Sequence, residues 1–416
     1  MDRIVINGGR PLKGEVSVSG AKNSALPIMV ATLLCNGHHK ICGAPQLRDI
    51  HTMKRLLEHL GAECPDSPDL IISTEKIKSI EAPYELVKTM RASFLVIGPL
   101  VARFGSARVS LPGGCAIGPR PVDMHIKGLE ALGVKIDIDH GYVNAACDQL
   151  RGAHITFNMP TVGATENILM ASCLAKGRTV IENAAREPEV IDLARALRVM
   201  GARIDGEGTD TIVIEGVEEL KPLTYHVMPD RIEAGTLIVA GGITGGDICI
   251  KNCPVQSMGS IIDHIREAGI VIDVGTDEVR VKRNGALKPV DIITNPYPGF
   301  PTDMQAQVMA LLTISNGVSI IKETIFENRF IHVAELDRMG ANIKVEGDNA
   351  IVKGVPRLKG ALVMATDLRA SASLVLAGLA AEGTTKISRV YHLDRGYERL
   401  ERKLQGIGAD IYREHA

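Results

Sequence analysis

Residues 201–216, GARIDGEGTDTIVIEG, carry the pattern that organises the whole chain. After the first glycine, apolar and polar residues alternate in two short segments that a glycine-rich turn separates. Alternation with a period of two predicts β-strands, and a short turn between two such segments predicts an antiparallel pair. The glycine that begins this phrase recurs as Gly61, Gly133, Gly201, Gly269, Gly340 and Gly408, at intervals of 72, 68, 68, 71 and 68 residues. The sequence is therefore predicted to contain six copies of one structural unit.

A second glycine marks the same period independently. It follows an apolar stretch in each unit, at Gly37, Gly105, Gly177, Gly245, Gly317 and Gly383. A helix that ends in a left-handed glycine cap explains this position, and in the first unit the helix is predicted over Ser24–Cys35. A strand and a second helix, over Leu47–Leu60, follow it. Each unit of about 70 residues thus mixes strands and helices, which predicts an α/β fold.

The repeat also predicts where the domains divide. A chain of 416 residues exceeds the size of one compact core. The last unit lacks the strand partner that the others possess, and residues 2–8 resemble residues 210–216 closely enough to supply it. Six units then divide most simply into three and three. We expect one domain over residues 21–229 and a second formed by residues 1–20 and 230–416, with ligands in the cleft between them.

Composition excludes several classes of protein. The net charge is −2, only 3 % of residues are aromatic and tryptophan is absent, so nucleic-acid binding is not expected. The N-terminus lacks the pattern of a signal peptide and no apolar run approaches the length of a membrane span, which predicts a cytoplasmic chain without membrane insertion. The eight cysteines form no CxxC pair. Cys249 and Cys253 come nearest to one, but Cys249 alternates like a strand residue, so we expect reduced thiols and no metal site.

Charged or polar residues stand at the predicted starts of the long helices, where an amphipathic pattern does not require them. They are Lys22-Asn23, Arg91, Asp230-Arg231, Thr302-Asp303 and Arg369. Helix N-termini present free amides and the positive end of the helix dipole, so basic side chains beside them favour anion binding. The alternative is that these residues are helix caps and solvated first turns. Their repetition at equivalent positions favours a shared site.

The least regular segment is residues 111–123, LPGGCAIGPRPVD. A loop rich in glycine and proline at this length is typical of a lid over a binding site. Cys115 lies among glycines and not on an apolar face, and the charge of the nearby Arg120 favours the reactive thiolate. A buried thiol without a function is the alternative.

Together these motifs resemble the enolpyruvyl transferase family, and within it the members that act on UDP-N-acetylglucosamine. The resemblance extends from Arg3 to the C-terminus and is carried by residues 111–123, Gly20–Asn23, Phe300–Asp303, Phe326–Phe330, Asp367–Arg369 and Asp394–Gly396. It implies an inside-out α/β barrel fold in two domains of three units each. It also implies an enzyme without metal or organic cofactor and without an obligate protein partner. The implied reaction transfers the enolpyruvyl group of phosphoenolpyruvate to the sugar 3-hydroxyl through a tetrahedral ketal, releases phosphate and opens peptidoglycan synthesis.

The resemblance also implies roles for individual residues. Cys115 matches the lid cysteine, a proton donor and nucleophile that the epoxide fosfomycin alkylates, and Asp303 matches the base beside the sugar hydroxyl. The residues that bind phosphoenolpyruvate are Lys22, Asn23, Arg120, Arg369 and Arg395, of which Lys22 and Arg395 are also catalytic. The residues that bind the UDP-sugar are Arg91, Arg120, Pro121, Val122, Asp123, Met124, Thr161, Val162, Gly163, Asp303, Ile325 and Arg329. For Asp303 the alternative is helix capping.

Two residue roles and two alternative functions stay open at this point. Met159-Pro160 stands where some members carry a lysine, so one possible diphosphate contact is missing. His125, beside the lid, either assists the site or packs in the core. The shikimate-pathway enolpyruvyl transferase shares the architecture but not a cysteine-bearing lid. A non-catalytic nucleotide-binding repeat protein would need neither Cys115 nor Asp303.

Overall fold

The computed structural model describes residues 2–113 and 122–415, which form two compact units. Residues 20–113 and 122–228 make one of them, here called the central unit. Residues 2–19 and 229–415 make the other, here called the terminal unit. Each has its own aliphatic core. None of the helices formed by the described residues is long and apolar enough to span a bilayer.

In the central unit the strands are β3 (His38–Cys42), β4 (Leu70–Ser73), β5 (Glu81–Ala82), β6 (Ser106–Ser110), β7 (Lys135–Asp139), β8 (Tyr142–Ala146), β9 (His154–Thr156), β10 (Arg178–Glu182), β11 (Arg203–Asp205), β12 (Thr211–Glu215) and β13 (Thr224–His226). Its helices are α1 (Lys22–Ala31), α2 (Arg48–Leu60), α3 (Tyr84–Val87), α4 (Ile97–Phe104), α5 (Asp123–Ala131), α6 (Val162–Ser172) and α7 (Pro188–Val199). Short 3-10 turns cover Thr32–Leu34 and Arg91–Val96. The strands form three sheets, ordered β11-β12-β10-β9, β13-β3-β4 and β5-β6-β8-β7.

In the terminal unit the strands are β1 (Arg3–Asn7), β2 (Lys13–Ser17), β14 (Asp247–Lys251), β15 (Val271–Val274), β16 (Glu278–Lys282), β17 (Ile292–Ile293), β18 (Val318–Lys322), β19 (Asn342–Glu346), β20 (Asn349–Lys353), β21 (Leu362–Met364), β22 (Thr384–Ser388) and β23 (Asp410–Glu414). Its helices are α8 (Arg231–Ile243), α9 (Gly259–Glu267), α10 (Gln305–Leu312), α11 (Val333–Arg338), α12 (Leu368–Ala380) and α13 (Leu400–Gly406). Its 3-10 turns cover Val255–Ser257, Thr302–Met304 and Val390–Arg395. The three sheets are ordered β21-β22-β1-β23, β15-β16-β14-β2 and β17-β18-β20-β19.

The long helices lie inside each unit and the sheets lie outside them. Every residue of α8 is buried, as is every residue of α10. A helix that is apolar on all sides is stable only when it is surrounded, so these sequences dictate an interior position. Glycine permits the close packing: a Cβ at Gly242 would lie 2.2 Å from Ile270 Cδ1. Among the described residues the strands form separate sheets, and no sheet closes on itself as a barrel.

The first strand of the chain pairs with the last. β1 lies between β22 and β23 and is antiparallel to both, with Ile4 opposite Ile387 and Val5 opposite Tyr412. Both ends of the described chain therefore belong to the terminal unit. The chain leaves that unit after β2 and returns to it before α8.

Both series of repeat glycines adopt positive φ angles. In the first series φ lies between 87° and 109°, and in the second between 67° and 155°. Gly61, for example, ends α2 in the left-handed conformation and donates its N–H to Glu58 O at 3.0 Å. The first helix differs from the prediction: it begins at Lys22, and its last turn tightens to a 3-10 turn, where the Thr32 hydroxyl donates to Met29 O at 2.6 Å.

A buried histidine makes the stability of the central unit depend on pH. His39 Nδ1 accepts from Leu223 N at 3.1 Å, and its Nε2 lies 3.1 Å from Thr74 Oγ1, which itself donates to Cys35 O. Only the neutral ring satisfies this arrangement, because Nδ1 must accept. Burial first, and then the charge of Arg103, lower the pKa of His39 to about 4.

The free energy of unfolding is therefore expected to fall on acidification. Below pH 6.5 His39 becomes protonated in the unfolded chain, whereas in the folded chain it stays neutral down to about pH 4. The loss is about 1.4 kcal/mol per pH unit in this window. Urea unfolding at several pH values should show a shallower dependence for His39→Gln than for the wild type. His140→Gln, at an exposed position, is the control, and equal slopes for His39→Gln and the wild type would contradict the prediction.

Candidate active site

Asp303 lies between two buried arginines. It belongs to the 3-10 turn Thr302–Met304 that leads into α10. Its Oδ1 accepts from Arg329 Nη2 at 2.8 Å and its Oδ2 from Arg369 Nη2 at 2.7 Å. The arginine side chains are 4 % and 5 % exposed, whereas that of Asp303 is 28 % exposed. The carboxylate is thus held on one side by two cations and reaches solvent on the other.

Two other helix-start aspartates in this unit behave differently. Asp230 caps α8 by accepting from Ile232 N and Glu233 N, and Asp367 caps α12 by accepting from Arg369 N and Ala370 N. Capping thus explains Asp230 and Asp367, whereas the carboxylate of Asp303 pairs with side chains from other segments.

Arg369 remains charged although it is buried. Burial by itself lowers the pKa of its guanidinium, but Asp303, Tyr397 and Asp230 together outweigh burial and raise the pKa above its usual value. The guanidinium also lies over the Tyr397 ring, 5.5 Å from the ring centroid. A delocalised cation on an aromatic face is favourably placed.

A buried polar network supports the backbone of Asp303. Gln307 Nε2 donates to Asp303 O at 2.8 Å and to Tyr397 OH at 3.0 Å. The Tyr397 hydroxyl lies 3.0 Å from Thr236 Oγ1 on α8. Gln307, Tyr397 and Thr236 were not predicted from the sequence, although a fully buried glutamine within an apolar helix is the kind of signal that could have indicated them.

The Asp394-Arg395-Gly396 motif is fixed from both sides of its arginine. Asp394 accepts from Arg413 on β23 at 2.6 and 3.0 Å. At Gly396 a Cβ would lie 2.7 Å from Leu368 Cδ2, so a side chain there would require Leu368, at the start of α12, to move. Arg395 itself ends the 3-10 turn and is half-buried. An ion pair at Asp394 and close packing at Gly396 therefore hold the backbone on either side of Arg395, which is predicted to bind phosphoenolpyruvate.

In the central unit Lys22 is the first residue of α1. Its Nζ lies 3.3 Å from Oδ2 of Asp49, in the first turn of α2, and its side chain is 11 % exposed. Asn23 follows it and is half-buried. The ammonium group is therefore positioned at a helix start within hydrogen-bond distance of a buried carboxylate.

His125 lies near two of the predicted site residues of this unit, Arg91 and Gly163. Its ring lies 5.3 Å from the Phe94 ring, its Nδ1 is 3.0 Å from Asn167 Nδ2, and a Cβ at Gly163 would lie 3.2 Å from it. Burial, followed by the charge of Arg91, lowers the pKa of His125 to about 3. The structure thus brings Arg91 and Gly163 close to one neutral, buried ring.

The remaining predicted residues lie near helix starts or outside the described part of the chain. Thr161 precedes α6, and Val162 and Gly163 begin it without a side-chain cap. Val122 is buried ahead of α5, where Asp123 is exposed and Met124 half-buried. Ile325 is half-buried after β18. Cys115, Arg120 and Pro121 lie outside the described residues. Within the described ranges no group of three or more His, Cys, Asp or Glu residues could hold a metal ion.

Comparison with known proteins places this arrangement in a family. A family model described as EPSP synthase (3-phosphoshikimate 1-carboxyvinyltransferase) matches residues 6–404. The UDP-N-acetylglucosamine 1-carboxyvinyltransferase of Geotalea uraniireducens is 57 % identical over 99 % of both chains. That of Geobacter metallireducens is 58 % identical, again over 99 % of both chains.

A solved structure has the same fold over its full length. The crystal structure of the enolpyruvyl transferase NikO from Streptomyces tendae superposes with a TM-score of 0.90 at 28 % identity, and the match covers 100 % of this chain and 99 % of that one. The chain therefore belongs to the enolpyruvyl transferase family, in the group of UDP-N-acetylglucosamine 1-carboxyvinyltransferases.

Proposed function

We propose that this chain transfers the enolpyruvyl group of phosphoenolpyruvate to the 3-hydroxyl of UDP-N-acetylglucosamine and releases phosphate. The observation that carries the proposal is the Asp303 carboxylate, held between Arg329 and Arg369 with one side towards solvent. Near relatives of this chain bear the name of that activity.

The addition step needs two proton transfers, and Asp303 is proposed for the first. Its carboxylate takes the proton of the sugar 3-hydroxyl while the oxygen attacks C2 of phosphoenolpyruvate and a proton is added at C3. The tetrahedral ketal then loses phosphate from C2 and a proton from C3, which restores the double bond. A carboxylate can accept about four hydrogen bonds, so the two arginines orient it without using its full capacity. We assign the addition of the proton at C3 to Cys115.

The anionic groups of phosphoenolpyruvate are assigned to cations. Lys22, Arg120 and Arg395 are proposed to bind its phosphate and carboxylate, and Arg369 lies beside the proposed base. Lysine supplies a compact charge and arginine a planar fork, which suits a substrate with two ionised groups. For the sugar nucleotide, the uncapped first amides of α6 at Val162 and Gly163 are proposed to help bind the diphosphate in place of the missing lysine.

Removing the positive charge of Lys22 or of Arg395 should weaken the binding of phosphoenolpyruvate. Lys22→Ala and Arg395→Ala are each expected to cost about 2–4 kcal/mol, which corresponds to a rise of roughly 30- to 700-fold in the KM for phosphoenolpyruvate. Steady-state kinetics with saturating UDP-sugar measure it. Lys40→Ala is the matched control, because Lys40 pairs with Asp69 at 2.9 Å on an exposed strand of the same unit. Wild-type KM and kcat in the Lys22 or the Arg395 variant would remove that residue from the site.

Phosphate release tests the proposed function itself. The purified chain is mixed with phosphoenolpyruvate and either UDP-N-acetylglucosamine or shikimate 3-phosphate. The second acceptor is included because the matching family model carries the name of the shikimate enzyme. We expect turnover with the UDP-sugar alone. Turnover with shikimate 3-phosphate would favour the shikimate activity, and turnover with neither acceptor would favour a nucleotide-binding repeat protein without catalysis.

A further inference from the structure

The buried carboxylate of Glu323 joins three segments around the Asp303 turn. Glu323 follows β18 and is 4 % exposed. Its Oε2 accepts from Thr302 Oγ1 at 2.8 Å. Its Oε1 accepts from Thr294 Oγ1 and from Ile325 N, both at 2.9 Å, and from Phe326 N at 3.3 Å. Four donors from three segments of the chain therefore converge on one side chain.

All of these donors are neutral. Within the part of the chain that the structure describes, Glu323 makes no salt bridge. Burying a carboxylate is unfavourable unless hydrogen bonds compensate for the lost hydration, and a buried charge is weak evidence for net stabilisation. An apolar residue would fill the same space without this cost. The arrangement is therefore better explained by geometry that the four bonds impose than by the stability that they add.

That geometry closes a ring through the proposed base. Thr302, held by Glu323, directly precedes Asp303. Asp303 Oδ1 binds Arg329, and Arg329 lies on the loop whose first amides, at Ile325 and Phe326, return to Glu323. The turn that carries the base and the loop that carries Ile325 and Arg329 cannot shift relative to each other without breaking one of these bonds.

We propose that Glu323 is a positioning residue that sets the Asp303 carboxylate against the loop 324–329, and so aligns the sugar 3-hydroxyl with its base. This inference rests on the proposed function. Neither Glu323 nor Thr302 is proposed to contact substrate. Glutamine keeps the shape of Glu323 but exchanges one acceptor for a donor, and the Thr302 hydroxyl can rotate to accept from it. Activity is therefore expected to fall in the order wild type, Glu323→Gln, Glu323→Ala.

The sharpest test removes only the link to the turn. Thr302→Val deletes the hydroxyl and leaves the bonds from Glu323 to the loop intact. We expect kcat to fall roughly 10- to 100-fold, because a misplaced catalytic group costs about that much, with the KM for phosphoenolpyruvate unchanged. Glu323→Ala should lower kcat similarly and also raise the KM for the UDP-sugar, and Glu323→Gln should recover part of both. Thr244→Val is the matched control, since it deletes a half-buried hydroxyl that bonds only within its own helix.

Activity is measured per folded protein, with thermal melts for each variant. Wild-type kcat in Thr302→Val would overturn the inference, as would losses that follow only the unfolded fraction. If Glu323→Ala does not fold, Thr302→Val still gives the result. Comparison with Asp303→Asn separates the two proposals. If that variant is inactive while Thr302→Val is fully active, the inference on Glu323 fails alone; if Asp303→Asn turns over normally, the proposed function of Asp303 fails.

Discussion

Asp303→Asn is expected to lower kcat by about a hundredfold to ten-thousandfold, the range that general acid–base catalysis contributes. Asparagine retains the size of the side chain but cannot take the proton of the sugar hydroxyl. It also turns an amide N–H₂ towards one of two buried guanidiniums, each of which now donates to a carboxylate oxygen at 2.7 or 2.8 Å. Both effects act on the step in which the hydroxyl attacks, so kcat should fall more than binding of phosphoenolpyruvate. Phosphate release at saturating substrates measures the effect.

The control for this variant is another aspartate paired with an arginine. Asp247 accepts two bonds from Arg280, at 2.9 and 3.1 Å, on an exposed sheet of the same unit, and Asp247→Asn replaces one of the two acceptor oxygens by an amide donor. It should leave kcat unchanged. A thermal melt of Asp303→Asn distinguishes loss of the base from loss of the fold. A folded Asp303→Asn variant with wild-type kcat would refute the role of Asp303 as the base.

The repeating architecture could be predicted because each unit is marked by patterns that extend over only a few neighbouring residues. The two series of glycines occur at positions where the backbone adopts a positive φ after a helix. Glycine adopts this conformation without strain, so the identity of one residue is enough to indicate it. Alternation of apolar and polar residues likewise predicts a strand from a segment of only a few residues. The end of α1 was placed less well, since the sequence Thr32-Leu33-Leu34 continues the apolar helix pattern while the chain has already tightened into a 3-10 turn.

The contacts of the candidate site could not be predicted in the same way. Asp303 is 26 residues from Arg329 and 66 residues from Arg369. A helix-start aspartate looks the same in sequence whether it caps, as Asp230 does, or pairs with distant cations, as Asp303 does. Only family resemblance indicated a role other than capping for Asp303, and it did not indicate the pairing with Arg329 and Arg369. Glu323 gave no signal at all, because a glutamate after a strand is usually solvated.

The second large effect concerns the thiol. Fosfomycin should label one peptide, that containing Cys115, and Cys115→Ser should abolish the label and greatly lower turnover. The basis in sequence is the glycine-rich loop and Arg120, which favour the thiolate. The described thiols give the contrast: burial raises the pKa of Cys35 to about 11 and the pKa of Cys64, Cys173 and Cys253 to about 12. At neutral pH these four are protonated, and a protonated thiol is a poor nucleophile.

Peptide mass spectrometry, with and without UDP-N-acetylglucosamine, makes this prediction specific. Cys42, Cys147 and Cys249 are half-buried, so they are the thiols whose labelling would compete. Cys249→Ser is the matched control: it removes a half-buried thiol from β14 and should leave labelling at Cys115 complete. If the loop acts as a lid that the sugar nucleotide closes, the UDP-sugar should accelerate labelling. Full labelling of Cys115→Ser would show that another group is attacked and would transfer the nucleophilic role away from the loop.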